Sequence, residues 1–253
     1  MATNQHFGDV NMGLIRTIRG RAKALVGLVK LTKDPTQLDQ VFAIAEGFEN
    51  PERLEALMGN FRSVPQHADA LRERPRIGHL DLKTMARHAP GTLGRAVHDE
   101  LTRLGIDPKD MILPDGVGEF DYVRAHMRET HDIWHVVTGF DTDVAGELGL
   151  QAFYFAQYRT PLPPLLLTVG MMNTILYAMD DGDRRMRAIV RGWLMGRAAK
   201  TFFGIRWAEM FDLPLEEVRR KVGVDVAAVE RAIDGFDRKQ GTRHGWETIR
   251  NAA

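Results

Sequence analysis

The chain has 253 residues, enough to bury a sizeable core, and reads as one domain. Its composition is 44% hydrophobic and 27% charged, with 34 acidic residues balancing 34 basic ones, which describes a globular chain and argues against a nucleic-acid partner. It contains no cysteine, which excludes a disulfide framework and any thiolate metal site, so a metal here needs nitrogen and oxygen ligands.

The first element is a basic amphipathic helix within residues 1–33. From Gly13 to Lys33 it carries six basic residues and no acid, interleaved with Leu14, Ile18, Leu25 and Val29. Such a segment suits either packing on the domain with a solvated rim or docking on a membrane surface. Residues 34–253 then form a helical domain. Asp34 and Pro35 are cap and first-turn residues for a helix whose apolar positions are Leu38, Val41, Phe42 and Ala45. A second helical pattern, "PERLEALMGNF", follows. Pro65, Pro75, Pro90, Gly91 and Pro108 then divide a stretch of short helices, and "MILPDGVGEFD" reads as a loop. Beyond the segment "THDIWHVVTGFDTDVAGELG", the apolar run from Leu165 to Met179 is too short for the roughly 20 residues that span a bilayer and is expected to be a buried helix. The arginine-rich segment after it sets Ile189, Trp193 and Met195 among Arg184, Arg185, Arg187 and Arg191, as an amphipathic face or a basic wall for an anionic, lipid-like ligand. "PLEEVRRKVGV" has the early acids and later bases of a short capped helix.

The segment at 130–149 carries the chemistry. At about 100° per residue, His131, Asp132 and His135 share an arc of roughly 100° on one helix, so two imidazoles can grip one ion. On a straight helix Glu147 would lie about 18 Å away, so the chain must turn. Gly139, Asp141, Thr142, Asp143 and Gly146 supply breakers and caps for that turn, with Asp143 starting a second helix and Glu147 in its first turn. Two imidazoles and a carboxylate suit zinc or a similar divalent metal such as iron, and suit magnesium less well. Asp132 is a fourth ligand or a group that orients an imidazole. A pair of packed core histidines is the alternative. His126 reads as a local hydrogen-bonding residue.

His131, Asp132, two residues, His135, eleven residues and Glu147 form the HDxxH(x11)E signature, and on it the chain resembles the coenzyme Q biosynthesis protein 4 family, which serves ubiquinone synthesis. "LRERPRI", "APGTLGRAVHDEL", "HDIWHVVTGF", "GELGLQAF" and "IRWAEMFDLPLEEVRRKVGV" look like consecutive family blocks, covering most of the chain from Leu71 to Val224. The resemblance implies an all-α, single-domain protein with a metal site between two helices and an apolar, lipid-accommodating cavity. It implies a divalent metal (zinc, with iron, manganese or cobalt as alternatives) on His131, Asp132, His135 and Glu147, with Asp132 and Glu147 catalytic. The implied activity is oxidative decarboxylation of a polyprenylated 4-hydroxybenzoate derivative, with a membrane surface and other quinone-biosynthesis proteins as partners and a homodimer as assembly.

Arg74, Arg76 and Arg128 are candidates to hold an anionic head group, with surface charge as the plainer reading for the first two. A non-catalytic prenyl-lipid-binding scaffold is the main competing reading. A metal-dependent hydrolase is the weaker one, since helical phosphohydrolases with an HD doublet need a further histidine and aspartate that the sequence does not identify. Without a long leader the chain looks like a bacterial member, expected in the cytoplasm and peripheral to the inner membrane.

Overall fold

The computed structural model describes residues 51–111, 116, 118–158 and 160–240, together with 27, 30, 32 and 33, which are helical. Most of the basic amphipathic segment and the helix expected after Asp34 lie outside the described residues. Among the described residues there are α-helices and short 3-10 turns but no strand, only an isolated bridge between Thr92 and Pro214. The helices are α1 (Pro51–Arg62), α2 (Pro65–Glu73), α3 (Leu82–Met85), α4 (Leu93–Leu104), α5 (Glu119–Thr138), α6 (Val144–Tyr158), α7 (Leu162–Tyr177), α8 (Gly182–Ala198), α9 (Leu215–Val222) and α10 (Val226–Gln240). None of the described helices is long and apolar enough to cross a membrane.

The punctuation read from the sequence sets these boundaries. Pro65 starts α2, where its missing N–H costs no helical bond. Thr92 caps α4 by accepting from the Arg95 N–H, and Asp81 caps α3 by accepting from the Lys83 and Thr84 N–H groups. The helix over "PLEEVRRKVGV" forms as expected, with its acids in the first turn and its bases in the last.

α5 is the central element. Ile133 and Trp134 are fully buried on it, in a core with Leu93, Leu101, Leu150, Phe153, Phe202, Phe203 and Trp207. The same helix buries polar side chains, among them His126, Glu129, Thr130, Asp132, His135 and Thr138. Buried polar groups need partners, so this concentration on one helix directs attention to it.

α6 lies against α8 with almost no space between the two backbones. A Cβ on Gly192 would stand 1.9 Å from the Gly149 carbonyl oxygen, and one on Gly196 would stand 2.8 Å from the Phe153 carbonyl oxygen and from Ala156 Cβ. Glycine at these positions is a packing requirement, and it fixes the height and rotation of α6.

Two expectations need correction. The run from Leu165 to Met179 is helical but not buried over its length. Val169, Gly170, Asn173 and Thr174 face inward, while Met172, Ile175, Leu176, Tyr177 and Met179 are exposed, because described neighbours cover only one side of α7. The arginines of α8 do not form an open basic wall either. Arg184 pairs with Asp143 and Asp181, and Arg187 and Arg191 pair with Glu230. Arg185 is buried, bonded to Asp181, Asn173 and Thr174, and Asn173 donates in turn to the Thr32 carbonyl. This network ties α7 to α8 and to the chain around residue 32.

Gly192→Ala is expected to destabilise the protein by about 2 kcal/mol through overpacking, lowering Tm by about 4–8 °C. Gly59→Ala, where an added Cβ meets nothing within 4 Å, serves as the control in the same thermal melts. An unchanged Tm for Gly192→Ala would contradict the close α6–α8 contact.

Candidate metal centre

α5 carries His131 and His135 one turn apart, and the two rings stand edge to face with centroids 4.8 Å apart. The helix stops at Gly139, whose φ of 68° is the left-handed conformation that a residue without Cβ adopts readily. Asp143 then starts α6 as the sequence predicts, its Oδ1 accepting from the Gly146 N–H at 2.8 Å. Glu147 sits in the first turn of α6 and reaches back across the hairpin.

The result is a convergent donor group. His135 Nε2 lies 3.2 Å from His131 Nε2 and 3.1 Å from Glu147 Oε1, and His131 Nε2 lies 3.7 Å from the same oxygen. A tetrahedral ion with ligand bonds of about 2.0–2.1 Å separates its ligands by about 3.3 Å, so these three separations match the edges of such a site. His131, His135 and Glu147 form the one such group among the described residues.

His135 Nδ1 faces the Phe140 carbonyl oxygen at 3.1 Å. A carbonyl only accepts, so Nδ1 carries the proton and, in the neutral ring, Nε2 presents a lone pair. That lone pair and the Glu147 carboxylate are then two acceptors 3.1 Å apart. They repel unless a positive charge lies between them, either a second proton on the imidazole or a metal ion. The donor set, the spacing and the oriented Nδ1 all fit a metal.

Electrostatics agree on the direction of each charge. Burial alone would raise the Glu147 carboxyl, but its hydrogen bonds and charge pairing with His131 and His135 outweigh burial and hold it well below the usual carboxylate range. Burial opposes a proton on His131, yet Glu147 and, more weakly, Asp132 outweigh that and raise its pKa, while Arg128 pushes the other way. The His135 side chain is 1% exposed, against 28% for His131 and 35% for Glu147, so the centre opens on the His131 and Glu147 side.

The remaining candidates divide. Asp132 is buried and acts on His131 through its charge, but it stands outside the three-residue donor group. Arg128 is within electrostatic reach of His131. Arg76 grips the buried Glu129 with two prongs, its Nε at 2.9 Å from Oε2 and its Nη2 against Oε1. Arg74 is exposed at the end of α2, at a left-handed φ of 48°. The neighbouring Pro75 carbonyl accepts from the Tyr122 hydroxyl and from His126 Nδ1, both at 3.0 Å. His126 Nε2 accepts from the Gly204 N–H, so both of its nitrogens are engaged. Burial pushes its pKa down to about 4, and it is the neutral hydrogen-bonding residue the sequence suggests.

Three features escaped the sequence reading. The Phe140 carbonyl is backbone and has no residue signature. Tyr154, whose hydroxyl lies 3.2 Å from His131 Nδ1, sits seven residues after Glu147, two turns on along the same face of α6, and that spacing is a legible signal. The C-terminal end of α5 is also capped by cations: Arg219 donates to the Val136 and Val137 carbonyls, and Arg191 donates to the Gly139 carbonyl while lying 4.1 Å over the Phe140 ring.

Comparison with known proteins gives consistent matches. The family model described as "Coenzyme Q (ubiquinone) biosynthesis protein Coq4" matches residues 18–228. "Ubiquinone biosynthesis protein coq-4, mitochondrial" of Neurospora crassa is 29% identical over 224 residues, covering 86% of this chain and 62% of that protein. The Podospora anserina protein of the same description is also 29% identical over 224 residues, with 86% and 72% covered. The chain thus spans somewhat under two thirds of the first relative's length. A crystal structure of a protein assigned to ubiquinone biosynthesis in Nostoc punctiforme superposes with a TM-score of 0.69 at 28% identity, covering 81% of this chain and 98% of that one. The expectation of a bacterial cytoplasmic protein at the inner membrane is overturned by the fungal relatives, which are named as mitochondrial.

The purified chain is expected to bind one Zn²⁺ or Co²⁺, and His135→Ala or Glu147→Gln to abolish tight binding. Binding requires an ionised Glu147, already secured by its lowered pKa, and a neutral His131, whose raised pKa makes the proton a competitor. Affinity in a chelator competition should therefore fall as the pH drops from about 8 to about 6. A pH-independent affinity would contradict the assignment of His131 as a ligand.

Proposed function

Because the chain belongs to the coenzyme Q (ubiquinone) biosynthesis protein Coq4 family, we propose that it is a metal-dependent enzyme of ubiquinone synthesis. Its reaction is the oxidative decarboxylation of a polyprenylated 4-hydroxybenzoate-derived precursor, a two-electron oxidation with dioxygen as the oxidant, in which the ring carbon loses its carboxyl as CO2 and gains a hydroxyl whose oxygen comes from water while dioxygen is reduced to hydrogen peroxide. The observation that carries this reading is the pair of acceptors, His135 Nε2 and Glu147 Oε1, 3.1 Å apart with His131 beside them. A divalent ion bound there supplies a Lewis acid, and iron, manganese or cobalt would add the redox chemistry that zinc lacks.

The chain's own residues have separable tasks. His131, His135 and Glu147 hold the ion, and the Phe140 carbonyl keeps His135 in the ligating tautomer. Asp132, buried beside His131, holds or moves a proton at the edge of the centre. Arg128 contributes positive charge on the approach and is the arginine best placed to meet the substrate's carboxylate. Arg76, committed to Glu129, shapes the connection beside α5, and any contact from Arg74 comes from an exposed position.

The isoprenoid tail needs apolar surface. Ile175, Leu176 and Tyr177 at the end of α7 and Met179 just beyond it, with Met186 and Trp193 on α8, expose such surface near the elements that carry the site. Each methylene buried there contributes about 0.8 kcal/mol, so a long tail can supply most of the affinity while the metal centre orients the ring. The same face suits a membrane surface, a second copy of the chain or other proteins of the quinone-synthesis machinery. It therefore also favours the second reading, a non-catalytic prenyl-lipid-binding scaffold of that machinery.

Deleting the gene in its host and identifying quinone precursors by mass spectrometry tests both readings. Accumulation of a carboxylated, prenylated ring supports the enzyme, and an unchanged quinone pool contradicts both. Complementing the deletion with Glu147→Gln separates them: the enzyme reading expects the precursor to persist, whereas restored quinone would assign the scaffold role.

A further inference from the structure

We propose that Tyr154 is a positioning residue of the metal centre, its hydroxyl holding His131 in the orientation that turns Nε2 toward Glu147. This inference rests on the metal reading above and adds a residue to it. The two histidines are braced on their Nδ1 sides by chemically different partners. His135 Nδ1 meets the Phe140 carbonyl, which can only accept, so that ring is fixed in one tautomer whether or not an ion is bound. His131 Nδ1 meets the Tyr154 hydroxyl at 3.2 Å. A hydroxyl both donates and accepts, so it can follow a change of tautomer.

The change is required by the rest of the site. With an ion bound, His131 must offer the Nε2 lone pair, so its proton sits on Nδ1 and donates to the Tyr154 oxygen. Without the ion, His131 Nε2 faces the His135 lone pair at 3.2 Å and the Glu147 carboxylate at 3.7 Å. Both are acceptors, so a neutral ring keeps its one proton on Nε2, and Tyr154 then donates to the bare Nδ1. One phenol thus keeps the same ring orientation in both states by reversing the polarity of one hydrogen bond.

Packing makes Tyr154 able to do this. Its ring is buried and stacks on Trp134 with centroids 4.4 Å apart and planes 20° apart, and it lies nearly parallel to the His131 ring at 6.1 Å and 18°. Trp134 is itself fully buried between the two histidines in sequence. The hydroxyl is therefore aimed by the core, on the more open side of the centre, where His131 has no backbone partner equivalent to the one that holds His135.

The test uses the purified chain. Co²⁺ is titrated in competition with a chromophoric chelator, and the visible ligand-field bands of the bound ion are recorded for wild type, Tyr154→Phe and Tyr158→Phe. Tyr154→Phe keeps the ring and its stacking and should weaken Co²⁺ binding by about 10- to 100-fold while shifting the bands. Tyr158 shares the aromatic packing, 5.9 Å from Trp134, but its hydroxyl bonds to neither histidine, so Tyr158→Phe should leave both readouts unchanged. Equal affinity and spectra for wild type and Tyr154→Phe would overturn the proposal with the metal reading intact. A wild type that binds neither Co²⁺ nor Zn²⁺ would overturn the metal reading and this inference with it. Should Tyr154→Phe fail to fold, long-range proton–nitrogen NMR of the Zn²⁺-loaded wild type decides: a hydrogen-bonded proton on His131 Nδ1 is expected, and an unprotonated Nδ1 would overturn the proposal.

Discussion

The bond from His135 Nδ1–H to the Phe140 carbonyl is the constraint on which the site depends. It is an ordinary hydrogen bond of 3.1 Å, and its net contribution to stability is about 1 kcal/mol. Its consequence is larger than that contribution. By fixing one tautomer it places a lone pair against the carboxylate of Glu147 in a poorly solvated position, an arrangement that a cation relieves. The turn between α5 and α6 serves this geometry: Gly139 ends the helix one turn after His135, Phe140 returns its carbonyl to the imidazole, and Asp143 restarts the chain so that Glu147 arrives opposite.

The surrounding packing holds the two sides of that hairpin in register. On the α5 side, Arg191 and Arg219 donate to the carbonyls at the helix end, and Arg191 also covers the Phe140 ring. On the α6 side, the backbone contact through Gly149 and Gly192 leaves no room for the helix to slide or roll, and Phe140 itself occupies the space that a Cβ on Gly149 would need. Trp134 and Tyr154 join the two sides through their stacked rings. Close packing of this kind transmits small displacements, so residues far from the donor group, Gly192 among them, bear on the distance between His135 and Glu147.

Much of the centre was legible because it obeys helix periodicity. His131 and His135 at one-turn spacing, the delay before Glu147 and the glycines and aspartates between them specify two helices meeting at a turn, and the structure has that turn. Asp132 shares the arc but not the donor group, because sharing a helix face does not decide which way a short side chain reaches. The Phe140 carbonyl was invisible because any residue could supply it. The exposure of Ile175, Leu176 and Tyr177 was misread for a related reason: apolar composition says that a surface avoids water, and does not say which neighbour covers it. Arg185 was missed in the opposite sense, a charged residue buried because Asp181, Asn173 and Thr174 together satisfy its guanidinium.

The proposed function calls for a metal ion, and not an extra proton, between His135 and Glu147. X-ray absorption spectroscopy on the Zn²⁺- or Co²⁺-loaded chain tests this most directly. The account predicts a first shell of nitrogen and oxygen atoms at about 2.0–2.2 Å, with outer-shell scattering from two imidazole rings. A spectrum of a hydrated ion without imidazole scattering, or one requiring only a single imidazole, would contradict it.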